Sequence, residues 1–259
     1  MAETLKPLVF YDFPSKKPGV NAWNPNTWKT RYSLNYKGIP YKTIWVEYPD
    51  VASTLKAAGI APHPTTRKPD GSPMYTLPVI VDPNTGTSVS DSLLIADYLD
   101  KTYPDKPILI PAGTRALHEA FLDALTPNFY PTMRFSMLKI CEILNPRSEA
   151  YIREARKNDV LKMLNAASIE DVYPKGDEAE VEWKKFEEGM KNVAKWMDSN
   201  DRFVMGDTIS FADFVLGGFL QANKKMWGEQ SKEWKDIASW DGGRWGRLLE
   251  DLQKYDRDD

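Results

Sequence analysis

A chain of 259 residues, 42% of them hydrophobic, is long enough for two modest domains, and nine Trp, twelve Tyr and ten Phe supply a sizeable core. Lys and Arg number 34 against 37 Asp and Glu, a net charge of -3 with the signs interspersed, which removes the electrostatic case for a nucleic-acid binder. A single cysteine, Cys141, forbids an internal disulfide and any Cys-rich zinc site, and two histidines, His63 and His118, exclude a His-rich metal centre. The opening MAETLKPLVF has no apolar run behind a basic segment, and no stretch approaches the roughly 18 apolar residues of a membrane span. A cytoplasmic protein with no membrane or nucleic-acid partner is expected.

In chain order, Pro7 to Phe13 is a short apolar run and reads as a buried strand. Asn24-Pro25 opens a helix with Trp28, Tyr32 and Tyr36 on one face, and Gly38 followed by Pro40 stops it. Tyr41 to Val46 is a second strand and Pro49 to Gly59 a short helix. A loop with four prolines, 61–76, follows and is long enough to border a site. Leu77 to Val81 and Thr87 to Ser90, joined by the turn Asp82-Pro83-Asn84-Thr85-Gly86, form a hairpin. The helix from Asp91-Ser92 carries Leu94, Ile95, Tyr98 and Leu99 and stops at Tyr103-Pro104. A strand–helix–strand unit, a hairpin and a covering helix follow the thioredoxin-like plan, so an α/β domain is expected over 1–104.

From Ala112 onward no segment reads as strand, which predicts an all-helical domain over 112–259. Thr114 to Leu144 is helical with a break at Thr126-Pro127, and Pro146 to Ala166 reads as the next helix. The acidic stretch from Ser168 to Ala179 reads as a surface loop before a helix over Glu180 to Ser199. Ser210 begins a mostly apolar helix, the expected centre of a bundle, and Gly246 to Asp259 is an amphipathic helix with a charged tail.

Three places carry candidate chemistry. Leu77-Pro78 opens a strand expected inside the sheet, where a proline fits either with a cis bond and backbone turned toward a ligand, or on an edge with a trans bond. Asp91-Ser92 sits where a strand feeds a helix N-terminus, so Ser92 can take a carboxylate on its N–H and hydroxyl while Asp91 holds an ammonium; plain helix capping accounts for the same pair. Ser210-Phe211-Ala212-Asp213 is a capping box and carries no chemistry. Cys141, among apolar residues, reads as a buried inert thiol, and His63 and His118, with no nucleophile nearby in the sequence, as surface or packing residues.

In this order the Leu-Pro, the Asp-Ser, the segment from Pro104 to Pro111, the all-helical second half and Ile209-Ser210-Phe211-Ala212-Asp213 resemble a cytosolic glutathione transferase over nearly the whole chain. Asn24 to Tyr32 further resembles the fungal-specific class related to bacterial β-etherases. The resemblance implies glutathione as co-substrate, no metal, a homodimer, and glutathione binding by Leu77, Pro78, Asp91 and Ser92. It implies a catalytic position at Asn24, where that class usually has a serine before the proline, so low turnover in conjugation or thiol transfer is expected. An aromatic or polyphenolic partner is expected between the domains, against Tyr11, Phe13, Trp23, Phe129, Tyr130 and Met133, residues that also suit plain core packing. Two other functions fit: a non-catalytic ligandin for phenolics, which Asn24 favours, and a regulatory module, which has no need of Asp91-Ser92 or Leu77-Pro78.

Overall fold

The computed structural model describes residues 5–257 apart from 64, 69, 156, 158 and 159. The first part runs β1 (Leu8–Asp12), α1 (Pro25–Lys37), β2 (Tyr41–Trp45), a 3-10 turn over Tyr48–Asp50 leading into α2 (Val51–Ala57), β3 (Val79–Asp82), β4 (Thr87–Ser90) and α3 (Ser92–Thr102). This is the expected thioredoxin-like order. The sheet order is β2-β1-β3-β4, with β1 parallel to β2 and antiparallel to β3, and β3 antiparallel to β4. Side chains alternate across it with period two. Leu8, Phe10 and Ile80 face one apolar cluster with Trp28, Tyr32 and Leu99, while Tyr11 and Val79 face a second with Trp23, Met137 and Met226.

Helix α1 is the hub of the molecule. Asn24 caps its first turn, Pro25 stands where a missing N–H costs nothing, and Gly38, at φ 62°, ends it in the left-handed conformation. The sheet covers one side and the helical half the other, so even its polar residues are buried. Arg31 donates to Asp12 Oδ2 at 2.8 Å with both side chains out of water, and its guanidinium lies over the rings of Phe10 and Trp45. Burial raises the Asp12 carboxyl and the Arg31 charge pulls it back down. Lys37 likewise donates to Asp100 Oδ1 at 2.7 Å and to the Pro107 carbonyl at 2.9 Å, pinning α1 to α3 and to the chain beyond it.

Among its described residues the second part carries no strand, only isolated bridges at Phe203–Gly206 and Met205–Thr208, and runs α4 (Arg115–Leu125), a 3-10 turn at Thr126–Phe129, α5 (Tyr130–Ile143), α6 (Pro146–Ala155), α7 (Val160–Met163), α8 (Ile169–Val172), α9 (Asp177–Ala194), α10 (Phe211–Trp227) and α11 (Lys232–Leu252). The expected break at Thr126-Pro127 is the 3-10 turn. Three expectations are corrected. The helix read over Pro146 to Ala166 is two, α6 and α7. The acidic surface loop contains α8, whose Ile169 and Val172 are buried in the second cluster, and α9 begins three residues early at Asp177. The last helix is longer than expected: α11 begins at Lys232, and the helix expected from Gly246 is its second half. Ser231 caps it by accepting from Trp234 N at 3.1 Å, and Asp241, Gly242 and Gly243, all at positive φ, break it midway.

Helix α10 is the apolar centre of the helical part and lies against α1. Its capping box is formed: Asp213 accepts from Ser210 N at 2.8 Å and Val204 N at 2.7 Å, and burial pushes its carboxyl up to about 6. Gly218 makes the contact possible. A Cβ there would stand 2.8 Å from the Pro25 carbonyl oxygen, a backbone atom that cannot swing aside, and 3.5 Å from Lys29 Cγ. Alanine is otherwise favoured over glycine inside a helix by roughly 0.5–1 kcal/mol, so the sign of the change is diagnostic. Gly218→Ala should destabilise the protein by about 1–3 kcal/mol in urea unfolding, the usual cost of overpacking; a stabilised variant would refute the close approach.

Candidate functional site

The first corner of the site is the N-terminus of α1. Asn24 has extended backbone, with φ -77° and ψ 128°, and its Oδ1 accepts from Asn26 N at 2.9 Å and Thr27 N at 3.4 Å. With the oxygen committed to the helix, the amide nitrogen faces away, and Nδ2 donates to the Tyr48 hydroxyl at 3.2 Å. The Tyr48 ring stacks on Phe13, 4.0 Å between centroids and 10° between planes. Nδ2 carries a second hydrogen, for which the described residues provide no acceptor. Asn24 therefore divides two tasks between two atoms: its oxygen caps and its nitrogen can donate.

The second corner is the turn from β4 into α3. The Leu77-Pro78 bond is cis, the first of the two readings, and the Pro78 carbonyl accepts from Asp91 N at 3.3 Å. β3, which Pro78 precedes, lies between β1 and β4, so the proline stands at an internal strand. Asp91, at φ 85°, caps α3 through Oδ1, which accepts from Leu93 N at 2.9 Å and Leu94 N at 3.1 Å. Its Oδ2 is turned away from the helix. Ser92 is nearly buried, and its hydroxyl makes no hydrogen bond with the described residues. Capping thus explains Asp91 Oδ1 and leaves Asp91 Oδ2 and the Ser92 hydroxyl outside the cap, beside the Ser92 N–H at the start of the helix.

The structure adds His63, which the sequence reading set aside. Its Nδ1 accepts from Thr66 N at 2.9 Å and Thr65 N at 3.2 Å, which puts the proton of the neutral ring on Nε2, and Nε2 lies 3.4 Å from Asp91 Oδ2. The same stretch is tied back by His63 N donating to the Met74 carbonyl at 2.9 Å. A contact spanning 28 residues leaves no local pattern, so only the spread of prolines hinted that this loop borders a site.

Lys29 lies below both corners. It is buried against α10, its Nζ donates to Asn26 Oδ1 at 2.9 Å, and it sits 5.1 Å from the centroid of the Phe219 ring. Burial pushes its amine down to about 8, against the pull of the Asp91 charge.

The six aromatic and apolar candidates do not share one wall. Tyr11, Phe13 and Trp23 are buried together with Met137, Ala222 and Met226, where the two parts of the chain meet. Burial raises the Tyr11 phenol, and Trp23 Nε1 donates to the Pro14 carbonyl at 3.1 Å. Phe129 packs in the other cluster, stacked on Phe219 at 4.5 Å. Tyr130 and Met133, on α5, are 56% and 37% exposed. Cys141 is buried in the cluster of Tyr11 and Trp23, and burial raises its thiol. Among the described residues no group of three or more His, Cys, Asp and Glu is placed to hold a metal ion, and no helix is long and apolar enough to cross a membrane.

A thioredoxin-like sheet joined to a helical bundle, with a capped α1, a cis-proline before β3 and an Asp-Ser start to α3, defines a class. The family models for the glutathione S-transferase N-terminal and C-terminal domains match residues 23–102 and 116–255. The chain belongs to the glutathione S-transferase family. It is 31% identical over 253 residues to the glutathione S-transferase-like protein ustS of Aspergillus flavus, covering 93% of this chain and 88% of that protein. Among solved structures it resembles a glutathione S-transferase of Ceriporiopsis subvermispora in complex with glutathione, with 42% identity, a TM-score of 0.91, and 96% and 99% of the two chains covered. It also resembles glutathione transferase GSTFuA3 from Phanerochaete chrysosporium, with 39% identity, a TM-score of 0.89, and 99% and 100% covered.

Lys29 gives this core a pH signature. Its amine falls from 10.5 to about 8 on folding, so between those values the unfolded chain binds the extra proton and stability rises with pH. Below about 8 the cost of the buried charge is fully present. Lys29→Met should therefore be more stable than the parent at neutral pH by roughly 2–3 kcal/mol, with the gain shrinking as pH climbs toward 10.5. Parallel stability curves for the two proteins across that window would show that the amine titrates normally.

Proposed function

We propose that this chain is a glutathione transferase of the fungal-specific class related to β-etherases, binding glutathione and aromatic or polyphenolic compounds with low turnover in conjugation or thiol transfer. The observation that carries the reading is the pairing of two free donors, the second Asn24 N–H and the Ser92 hydroxyl, at the first turns of α1 and α3. The glutathione-bound relative at 42% identity supports it.

In this reading Ser92 holds the γ-glutamyl carboxylate on its N–H and hydroxyl, and Asp91 Oδ2 holds the ammonium. Leu77 and Pro78 lie alongside the peptide. Asn24 donates to the sulfur. A homodimer belongs to the same reading. Tyr11, Phe13 and Trp23 are the wall for an aromatic partner, and Phe129 is left to core packing. Only the thiolate attacks an electrophile, and a hydrogen bond to the sulfur anion favours that form. The longer, planar amide must bring its N–H to the sulfur while its oxygen caps α1, a stricter geometric demand than a small hydroxyl meets, which fits low turnover. The second reading, a non-catalytic ligandin for phenolics, rests on the same restriction; conjugation rates set beside phenolic affinity separate the two.

Losing the Ser92 hydroxyl removes a charge-assisted hydrogen bond of roughly 1.5–3 kcal/mol, so Ser92→Ala should weaken glutathione binding about tenfold to a hundredfold with folding unchanged. Unaltered affinity in calorimetric titration would remove Ser92 from the site. A serine at 24 can cap and donate through one mobile hydroxyl, so Asn24→Ser should raise turnover with an electrophilic aromatic or isothiocyanate, with glutathione affinity held within a few fold. Asn24→Ala should lower turnover, move the pH–rate profile to higher pH and cost about 1 kcal/mol of stability through the lost cap. Variants matching the parent in rate and profile would make Asn24 a bystander.

A further inference from the structure

Two hydrogen bonds accepted by Oδ1 from Asn26 N and Thr27 N place the Asn24 oxygen, and they do not place its second N–H. The terminal torsion of an asparagine is broad, so with the oxygen alone held, the amide plane can turn and carry the hydrogen away from any fixed point. The Tyr48 hydroxyl removes that freedom by taking one hydrogen of Nδ2 at 3.2 Å.

Tyr48 is itself fixed from three sides. Its ring is stacked flat on Phe13. Its backbone N–H donates to Ser148 Oγ at 2.9 Å, and Ser148 Oγ in turn donates to Glu47 Oε2. Asn145 Nδ2 donates to Glu47 Oε1 at 2.7 Å, and Arg147 grips Asp50 with both terminal nitrogens, at 2.8 and 2.9 Å. The 3-10 turn that carries Tyr48 is thus clamped on both flanks by the start of α6.

We propose that Tyr48 is a positioning residue for the reaction: by accepting one Asn24 hydrogen it aims the other at the sulfur of glutathione, and α6 holds it in place to do so. The proposal rests on the reading that Asn24 donates to the thiolate. A donor fixed before the anion forms stabilises it without reorganising, whereas a swinging amide must first be ordered. Tyr48 acts on the reacting atom only through Asn24, so its effect disappears when Asn24 is absent.

The test is a pH titration of the ultraviolet absorbance of the glutathione thiolate bound to the parent, Tyr48→Phe, Asn24→Ala and the double variant. Phenylalanine keeps the stacking on Phe13, and thermal unfolding confirms that the fold is intact. Tyr48→Phe should raise the midpoint of thiol ionisation by about half to one pH unit, a fraction of what a full hydrogen bond to a charge supplies, with glutathione affinity held within about threefold. Asn24→Ala should raise it further, and the double variant should match Asn24→Ala. An unmoved midpoint in Tyr48→Phe beside a shifted one in Asn24→Ala overturns this inference and leaves the reading standing. Additive shifts in the double variant overturn it too, because Tyr48 then acts on the sulfur independently. An unmoved midpoint in Asn24→Ala overturns the reading itself, and the positioning role falls with it.

Discussion

Gly218 lets the central helix of the bundle lie on the first turn of α1, with the Pro25 carbonyl where a side chain would otherwise be. That approach sets the position of Asn24, since Asn24 and Pro25 are adjacent and the cap bonds tie the Asn24 oxygen to the same turn. On the opposite side the sheet holds α1 through the Arg31–Asp12 pair, and α3 holds its far end through Lys37 and Asp100. A helix gripped at both ends and on two faces has little room to slide. The site inherits that rigidity.

The grip uses charges in places where they cost free energy. Arg31 and Lys37 have carboxylate partners within hydrogen-bonding distance, and removing either partner leaves a buried charge uncompensated. Lys29 has no such carboxylate in contact among the described residues. An amide oxygen and an aromatic face receive its amine, and burial lowers its affinity for the proton. Three cations along one buried helix make α1 polar enough that its orientation is specified by pairing, which an apolar helix packed by shape alone does not provide.

How much of this the sequence carries depends on how local each signal is. The start and stop of α1 are readable because Asn24, Pro25 and Gly38 act within a turn of themselves, and the capping box at Ser210 and Asp213 is readable for the same reason. The strand order follows from short apolar runs separated by turn residues. Helix α8 is hidden because its two buried residues, Ile169 and Val172, sit inside an acidic stretch too short to show a period. The half of α11 beyond the break is expected from its amphipathic pattern, whereas the half before it, Lys232 to Ser239, is separated from that pattern by the non-helical residues Trp240 to Gly243. At the site, Asn24, Asp91 and Ser92 are legible as helix starts. His63 and Tyr48 are not, since one reaches Asp91 across 28 residues and the other is held by Ser148 across 100. Such contacts exist only once the chain has closed on itself.

The two corners divide their work by atom. At α3, one oxygen of Asp91 caps the helix and the other faces His63. At α1, the oxygen of Asn24 caps and the nitrogen faces Tyr48. Each cap therefore leaves one polar atom outside it beside a helix N-terminus, a carboxylate oxygen that suits an ammonium at α3 and an amide donor that suits an anion at α1. The central claim is that glutathione lies between these two corners, and a crystal structure of the protein with glutathione bound tests it most directly. The account predicts the sulfur within about 3.5 Å of Asn24 Nδ2, at hydrogen-bonding reach for a large anion, with the γ-glutamyl carboxylate on Ser92. A sulfur beside Tyr11, with Asn24 out of reach, would contradict it.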